Sequence, residues 1–118
     1  MNDLIAEHIM GWVREPEDSP HNPPHKWRCV SNEGDTYFRR NTPGFDTLAC
    51  HAFQVVEKLY LGAPGRIEFS AQRLPDGRHM VAFWEPDTNL CYDATDESFE
   101  RAVCLAALKK VGVDAPQG

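Results

Sequence analysis

Residues 66–85, RIEFSAQRLPDGRHMVAFWE, decide the fold class. Pro75-Asp76-Gly77 divides the stretch into two segments, 65–72 and 78–85, in which apolar residues alternate. Asp-Gly between alternating segments is the signature of a tight antiparallel hairpin. Ile67, Phe69 and Ala71 fall on one face of the first strand. In the second, Met80, Ala82 and Trp84 share one face and Val81 and Phe83 the other, which predicts a central strand covered on both sides. Residues 89–93 are expected to add a short third strand.

Helices flank this hairpin. Residues 46–61 carry an apolar stripe of Leu48, Ala52, Val55, Val56 and Leu59, with Asp46 as the expected N-cap and Gly62 as the stop. Residues 96–111 are apolar most of the way round, which predicts a well-buried helix capped by Thr95 or Asp96 and ended by Gly112. Lys109 and Lys110 suit its C-terminal dipole. Near the start, residues 3–13 place Leu4, Ile5, His8, Ile9 and Trp12 on one helical face, with Asn2 or Asp3 as cap and Gly11 weakening the last turn. Residues 26–31 and 35–40 read as two further strands joined by Asn32-Glu33-Gly34. Between the first helix and these strands, residues 15–25 hold Pro16, Pro20, Pro23 and Pro24. Proline restricts its predecessor and donates nothing to a ladder, so an extended loop is expected.

The order is α-β-β-α-β-β-(β)-α. With no parallel crossover motif, this predicts an α+β domain with a mainly antiparallel sheet and helices packed on it. A single domain over 1–113 is expected, with a frayed tail at 114–118.

The composition is that of an ordinary globular chain: 118 residues, 42% hydrophobic and 25% charged. Twelve Lys and Arg against eighteen Asp and Glu leave a formal charge of −6. Such a chain is a poor generic binder of duplex nucleic acid. The longest apolar run, 102–108, is far too short to span a bilayer. No basic segment precedes a hydrophobic one, so no secretory signal is expected and a cytoplasmic location in the host cell is. Cys29, Cys50, Cys91 and Cys104 contain no C-x-x-C pair. They are expected as reduced thiols used as small hydrophobes.

Several groupings invite chemistry. His21, His25 and Cys29 have a spacing a metal could use, with Cys50 and His51 as distant ligands. Two prolines between the histidines argue against helical presentation, and a solvated loop pair is the plainer reading. Cys50, His51 and Asp46 suggest a thiol nucleophile, yet helix neighbours point about 100° apart and Asp46 reads better as a cap. The acids Glu85, Asp87, Asp93, Asp96, Glu97 and Glu100 could hold Mg²⁺, but a loop followed by a helix N-terminus attracts acids for its own reasons. No catalytic residue, metal or cofactor is therefore expected. The remaining set mixes arginines with aromatics: Trp27, Arg28 and Arg39 on the early strands, and Arg66, Arg78 and Trp84 on the later hairpin. Arginine forks clamp phosphate and aromatic rings stack on bases, so these six are the expected ligand-binding residues. The plainer reading is polar strand faces and charged edges. Trp27 and Arg28 cannot point to one face.

Three segments carry a family resemblance. Leu4-Ile5-Ala6-Glu7 through Met10-Gly11-Trp12 forms the first. Phe45-Asp46 leading to Val55-Val56-Glu57-Lys58-Leu59 is the second, and Ala94-Thr95 followed by Ala102-Val103-Cys104-Leu105-Ala106-Ala107-Leu108-Lys109 the third. In this order the chain resembles the phage ABA-sandwich domain over nearly its whole length. The resemblance implies an α/β/α sandwich and a phage or prophage origin, and it carries over no catalytic residue.

In that setting the expectation is an accessory, anti-defence type phage protein that sequesters a small nucleotide-derived host signal without chemistry, as a homo-oligomer. The alternative is an interaction module whose acidic 85–100 segment inhibits a host protein or joins a phage complex. A small hydrolase using His79 or His51 is the third reading.

Overall fold

The computed structural model describes residues 1–15, 26–31, 34–62 and 65–114. Its elements run α1 (Asn2–His8), β1 (Val13–Arg14), β2 (Trp27–Val30), β3 (Thr36–Arg39), α2 (Ala49–Gly62), β4 (Glu68–Arg73), β5 (His79–Glu85), β6 (Leu90–Asp96) and α3 (Phe99–Lys110). The strands form two antiparallel three-stranded sheets, β1-β2-β3 and β4-β5-β6, where the spacing suggested one. Class and pairing sense are those expected: an α+β sandwich of helices and antiparallel sheets.

The Pro75-Asp76-Gly77 hairpin forms as read, with Arg73 opposite His79. The Gly77 amide donates to the Leu74 carbonyl, and the Leu74 amide to the Arg78 carbonyl. That is a three-residue loop closed by a left-handed residue, here Gly77 at φ +90°. β6 is longer than expected, seven residues, and pairs with β5 from His79–Asp96 to Glu85–Leu90. Val81, Phe83 and Ala94 are buried beneath α3. The opposite face of β5 is not covered as expected: Met80 and Ala82 are half-buried and Trp84 is 38% exposed. Its strand neighbours there, Ser70, Gln72, Cys91 and Asp93, are polar or small, so this face meets solvent.

α3 is the most enclosed helix. Ala102, Val103, Cys104, Ala106, Ala107 and Leu108 are buried around its circumference, between β5 and β6 on one side and α1 and α2 on the other. Its cap is Ser98, not Thr95 or Asp96, which are still in β6. Ser98 Oγ accepts from the Arg101 amide, while an Asp96 carboxylate oxygen accepts from the Ser98 amide. At the other end Gly112 (φ +75°) and Val113 donate back to the Lys109 and Leu108 carbonyls. That is a Schellman closure around the expected glycine.

The other two helices are shorter than their apolar patterns. α1 ends at His8 because Gly11, at φ +72°, turns the chain and the Trp12 amide returns to the Ala6 carbonyl. Trp12 and Val13 thus leave the helix, and residues 13–14 form a strand the pattern did not predict. α2 starts at Ala49, three residues after Asp46. The Thr47 and Leu48 amides close a turn on the Gly44 carbonyl, Phe45 is fully buried, and the Asp46 amide donates to Asn2 Oδ1. Leu48, placed on the buried stripe by its spacing, is consequently 51% exposed. The buried stripe consists of Ala52, Val55, Val56 and Leu59. His21, His25 and most of the 15–25 stretch lie outside the described residues, as does the tail beyond Asp114.

Truncating Leu108 to Ala should cost about 2–5 kcal/mol, the usual loss for a fully buried leucine. The same change at Leu48 should stay within about 0.5 kcal/mol. Chemical denaturation of the two variants checks the contrast.

Candidate anion-binding cleft

Two carboxylates of α1, Asp3 and Glu7, hold the first sheet through Arg14, and Asp3 has further partners. Trp27 is fully buried, and its indole N–H donates to Thr42 Oγ1 at 2.9 Å. Thr42 donates in turn to Asp3 Oδ1 at 2.6 Å. Asp3 also accepts from Lys26 Nζ at 3.1 Å and from Arg14 at 3.3 Å. The hydrogen bond from Thr42 is the largest influence on the Asp3 carboxyl, and with the two cations it holds the group down at about 2 against partial desolvation. Arg14 lies 4.8 Å from the Trp27 ring centre. This brings Trp12 against Trp27 and Phe45, with ring centres 6.4 and 5.9 Å apart.

Beside this cluster a cleft of about 280 Å³ opens between the first sheet and α2. Trp12, Tyr37 and Arg39 line one side; Gln54, Glu57 and Lys58 line the other. Arg39 lies 5.7 Å from the Trp12 ring centre, a cation–π distance that fixes the guanidinium against a rigid wall. Burial, then the neighbouring Cys29 thiol, pushes the Tyr37 hydroxyl above its ordinary range. It stays a neutral donor at physiological pH.

Arg14, Lys26, Arg66, Arg78, Arg101 and Lys110 each reach a carboxylate of the chain. Among the described residues Arg28, Arg39, Arg40, Lys58, Arg73 and Lys109 have no carboxylate at ion-pair distance, and of these Arg39 and Lys58 line the cleft. Two cations outside any ion pair among the described residues, a tyrosine hydroxyl, an amide side chain and the Glu57 carboxylate thus face one hollow. They suit an anion flanked by a planar group.

The six residues singled out from sequence do not converge. Trp27 and Arg39 are cross-strand partners on one sheet face. Arg28 is exposed on the opposite face, opposite Val13 and Phe38. Arg66, Arg78 and Trp84 belong to the hairpin of the other sheet. Arg66 is paired with Glu68, and Arg78 with Asp76 at the turn. Trp84 lies at the far end of β5 from Arg78. Of the six, Arg39 alone lines the cleft, and Trp27 lies behind it. Sequence reasoning missed Trp12 and Lys58. Trp12 was read as one more apolar residue on a helical face. Lys58 was detectable only as a basic residue beside the α2 stripe.

The other groupings are used for structure. Glu85 pairs with Lys110 at 2.7 Å, and Asp96 with Arg101 at 3.5 Å. Lys110 holds the Glu85 carboxyl below its ordinary range. Among the described residues no cluster of three His, Cys, Asp or Glu could hold a metal. Cys50 is exposed on α2, whereas Asp46 Oδ1 and His51 Nδ1 are buried without a hydrogen-bond partner among the described residues. All four cysteines are free thiols, but only Cys29 and Cys104 are the expected buried hydrophobes; Cys50 and Cys91 face solvent. Burial pushes Cys104 up to about 12.

Comparison with known proteins gives one match. A family model described as the phage ABA sandwich domain covers residues 3–108. No curated protein and no solved structure matches the chain. No described helix is long and apolar enough to cross a membrane.

Two predictions follow from the groups around the cleft. A thiol reagent at pH 8 should titrate two cysteines in the native protein and four in guanidinium chloride, because the buried thiols are shielded and the Cys104 thiolate is disfavoured. The Asp3 carboxyl is lowered on folding, so its contribution is complete above its ordinary value near 3.8 and is lost as pH falls toward about 2. Asp3→Asn should remove on the order of 1 kcal/mol at pH 7, after allowance for screening of a half-exposed group, and less at pH 2.5. Denaturation at both pH values checks the sign.

Proposed function

We propose, because the chain belongs to the phage ABA sandwich family, that it is a phage accessory protein that binds a small nucleotide-derived anion without altering it. Capture of such a molecule would remove a host immune signal from solution, an anti-defence role. The observation that carries this reading is that Arg39 and Lys58, neither of them in an ion pair among the described residues, line one cleft together with Trp12 and Tyr37. Two positive charges lining one hollow attract an anion more strongly than either does alone. Trp12 behind Arg39 and Tyr37 beside it supply the planar surface that a base needs.

A binding role without chemistry is further supported by the lining. Neither cysteine nor histidine is among the described residues facing the cleft, so neither a Cys–His nor a Ser–His pair is offered by them. The cleft is open on one side, and a second copy of the chain closing over it would complete the enclosure. An interaction module built on the acidic 85–100 segment has weaker support, since Glu85 and Asp96 are already paired with Lys110 and Arg101.

Native mass spectrometry of protein purified from its host should show an oligomer carrying a stoichiometric small ligand, recovered unchanged after heat denaturation. Calorimetric titration with nucleotides should then show Arg39→Ala and Lys58→Ala each losing about 1.5–3 kcal/mol of binding, the scale of a hydrogen bond to a charged group. A protein indifferent to every nucleotide, or one whose binding ignores Arg39→Ala, would overturn the proposal.

A further inference from the structure

A second hollow of about 190 Å³ adjoins the cleft. It lies where the C-terminal ends of the three helices meet, on a floor of Ile9, Leu59 and Val111 and near Gly62. Lys58 lines both hollows. The two follow each other along the same segments: Met10 borders the first and Ile9 the second, and on α2 Glu57 borders the first and Leu59 the second. Lys110, at the rim of the second hollow, is spent on Glu85, which leaves Lys58 as the cation at the junction with no carboxylate at ion-pair distance among the described residues.

Their chemistry differs. The first offers Arg39, Tyr37 and Gln54, groups that hydrogen-bond and stack. The second offers the branched aliphatic side chains of Ile9, Leu59 and Val111, with His8, Lys58 and Lys110 around them. Each alone is smaller than an ordinary small-molecule pocket, about 300–1,000 Å³, and together they enter that range.

On the reading that the cleft binds a nucleotide-type anion, we infer that its ligand has two ring-bearing lobes joined by a phosphodiester, a dinucleotide rather than a mononucleotide. The phosphate rests on Lys58. One base lies against Arg39 and Tyr37, and the other covers Ile9, Leu59 and Val111. Lys58 at the junction suits a singly charged diester, and the aliphatic floor of the second hollow accepts a base face without needing a polar partner from it.

Gly62 provides the means to separate the two hollows. A Cβ built there meets nothing within 4 Å, so Gly62→Phe adds bulk at the edge of the second hollow without a clash. The probes are adenylyl-(3′,5′)-adenosine and the methyl ester of AMP, which carry the same single negative charge. The dinucleotide should bind the native chain at least about tenfold more tightly, the scale of one added stacked base. Gly62→Phe should bring the two probes level, and Val111→Gln, which adds no bulk, should reduce the dinucleotide advantage several-fold. Arg39→Ala should weaken both probes. Equal affinities, or an advantage that survives both second-hollow variants, overturn the two-lobed ligand while a loss in Arg39→Ala still upholds the cleft. Binding unaffected by Arg39→Ala overturns the cleft and the two-lobed ligand together. Thermal melts of each variant confirm that the fold is retained.

Discussion

The indole N–H of Trp27 sits in an apolar interior and must be satisfied there, and Thr42 and Asp3 satisfy it in series. An unpaired donor at that depth would cost about 1–3 kcal/mol. Thr42 is suited to the relay because one hydroxyl accepts from the indole and donates to the carboxylate. Asp3 then gathers Lys26 and Arg14, so one side chain joins α1, the first sheet and the 40s turn. Much of the first half of the molecule depends on this arrangement. It sets Trp27 against Trp12 and Phe45, and Trp12 is the wall on which Arg39 rests.

The second half is organised by α3. Because its apolar residues cover most of its circumference, it buries the inner face of the second sheet and packs on the other helices at once. Both edges of that sheet are blunted by side chains. The Tyr60 hydroxyl accepts from the Phe69 amide on the β4 edge, and Lys109 Nζ donates to the Asp93 carbonyl on the β6 edge. Each occupies a backbone group that would otherwise be open to another strand. Two of the acids of 85–100, Glu85 and Asp96, find basic partners on α3 in three dimensions.

What was legible from the sequence is local. Asp76-Gly77 marked the hairpin because a left-handed residue is needed at one position and glycine supplies it. Gly112 ended α3 for the same reason. The errors arose where a tertiary demand overrode a local pattern. Asp46 looks like a cap, but its amide is taken by Asn2 and the helix begins later. Trp12 fits the helical spacing, but Gly11 turns it out of the helix. The cleft was hardly legible, since it is made by Trp12, Tyr37, Arg39 and Lys58 from three separate segments. Arg39 drew notice among the arginines and aromatics of the early strands. Neither its union with Lys58 nor the separation of Arg66, Arg78 and Trp84 onto another sheet could be read without the topology.

The account joins a rigid seat to a hollow lined by two cations. Arg39 is fixed from behind by an aromatic cluster that the Asp3 relay holds in place, and Lys58 faces it across the cleft. Such preorganisation reduces the ordering cost of binding. The three tryptophan indole N–H resonances give the most direct test, in a two-dimensional ¹H–¹⁵N spectrum titrated with a dinucleotide. Trp12 backs the cleft, Trp27 is locked on Thr42, and Trp84 lies on the open face of the other sheet. The account predicts a saturable shift of the Trp12 signal while Trp27 and Trp84 stay nearly still. A shift confined to Trp84, or no shift in any of the three at millimolar ligand, would contradict it.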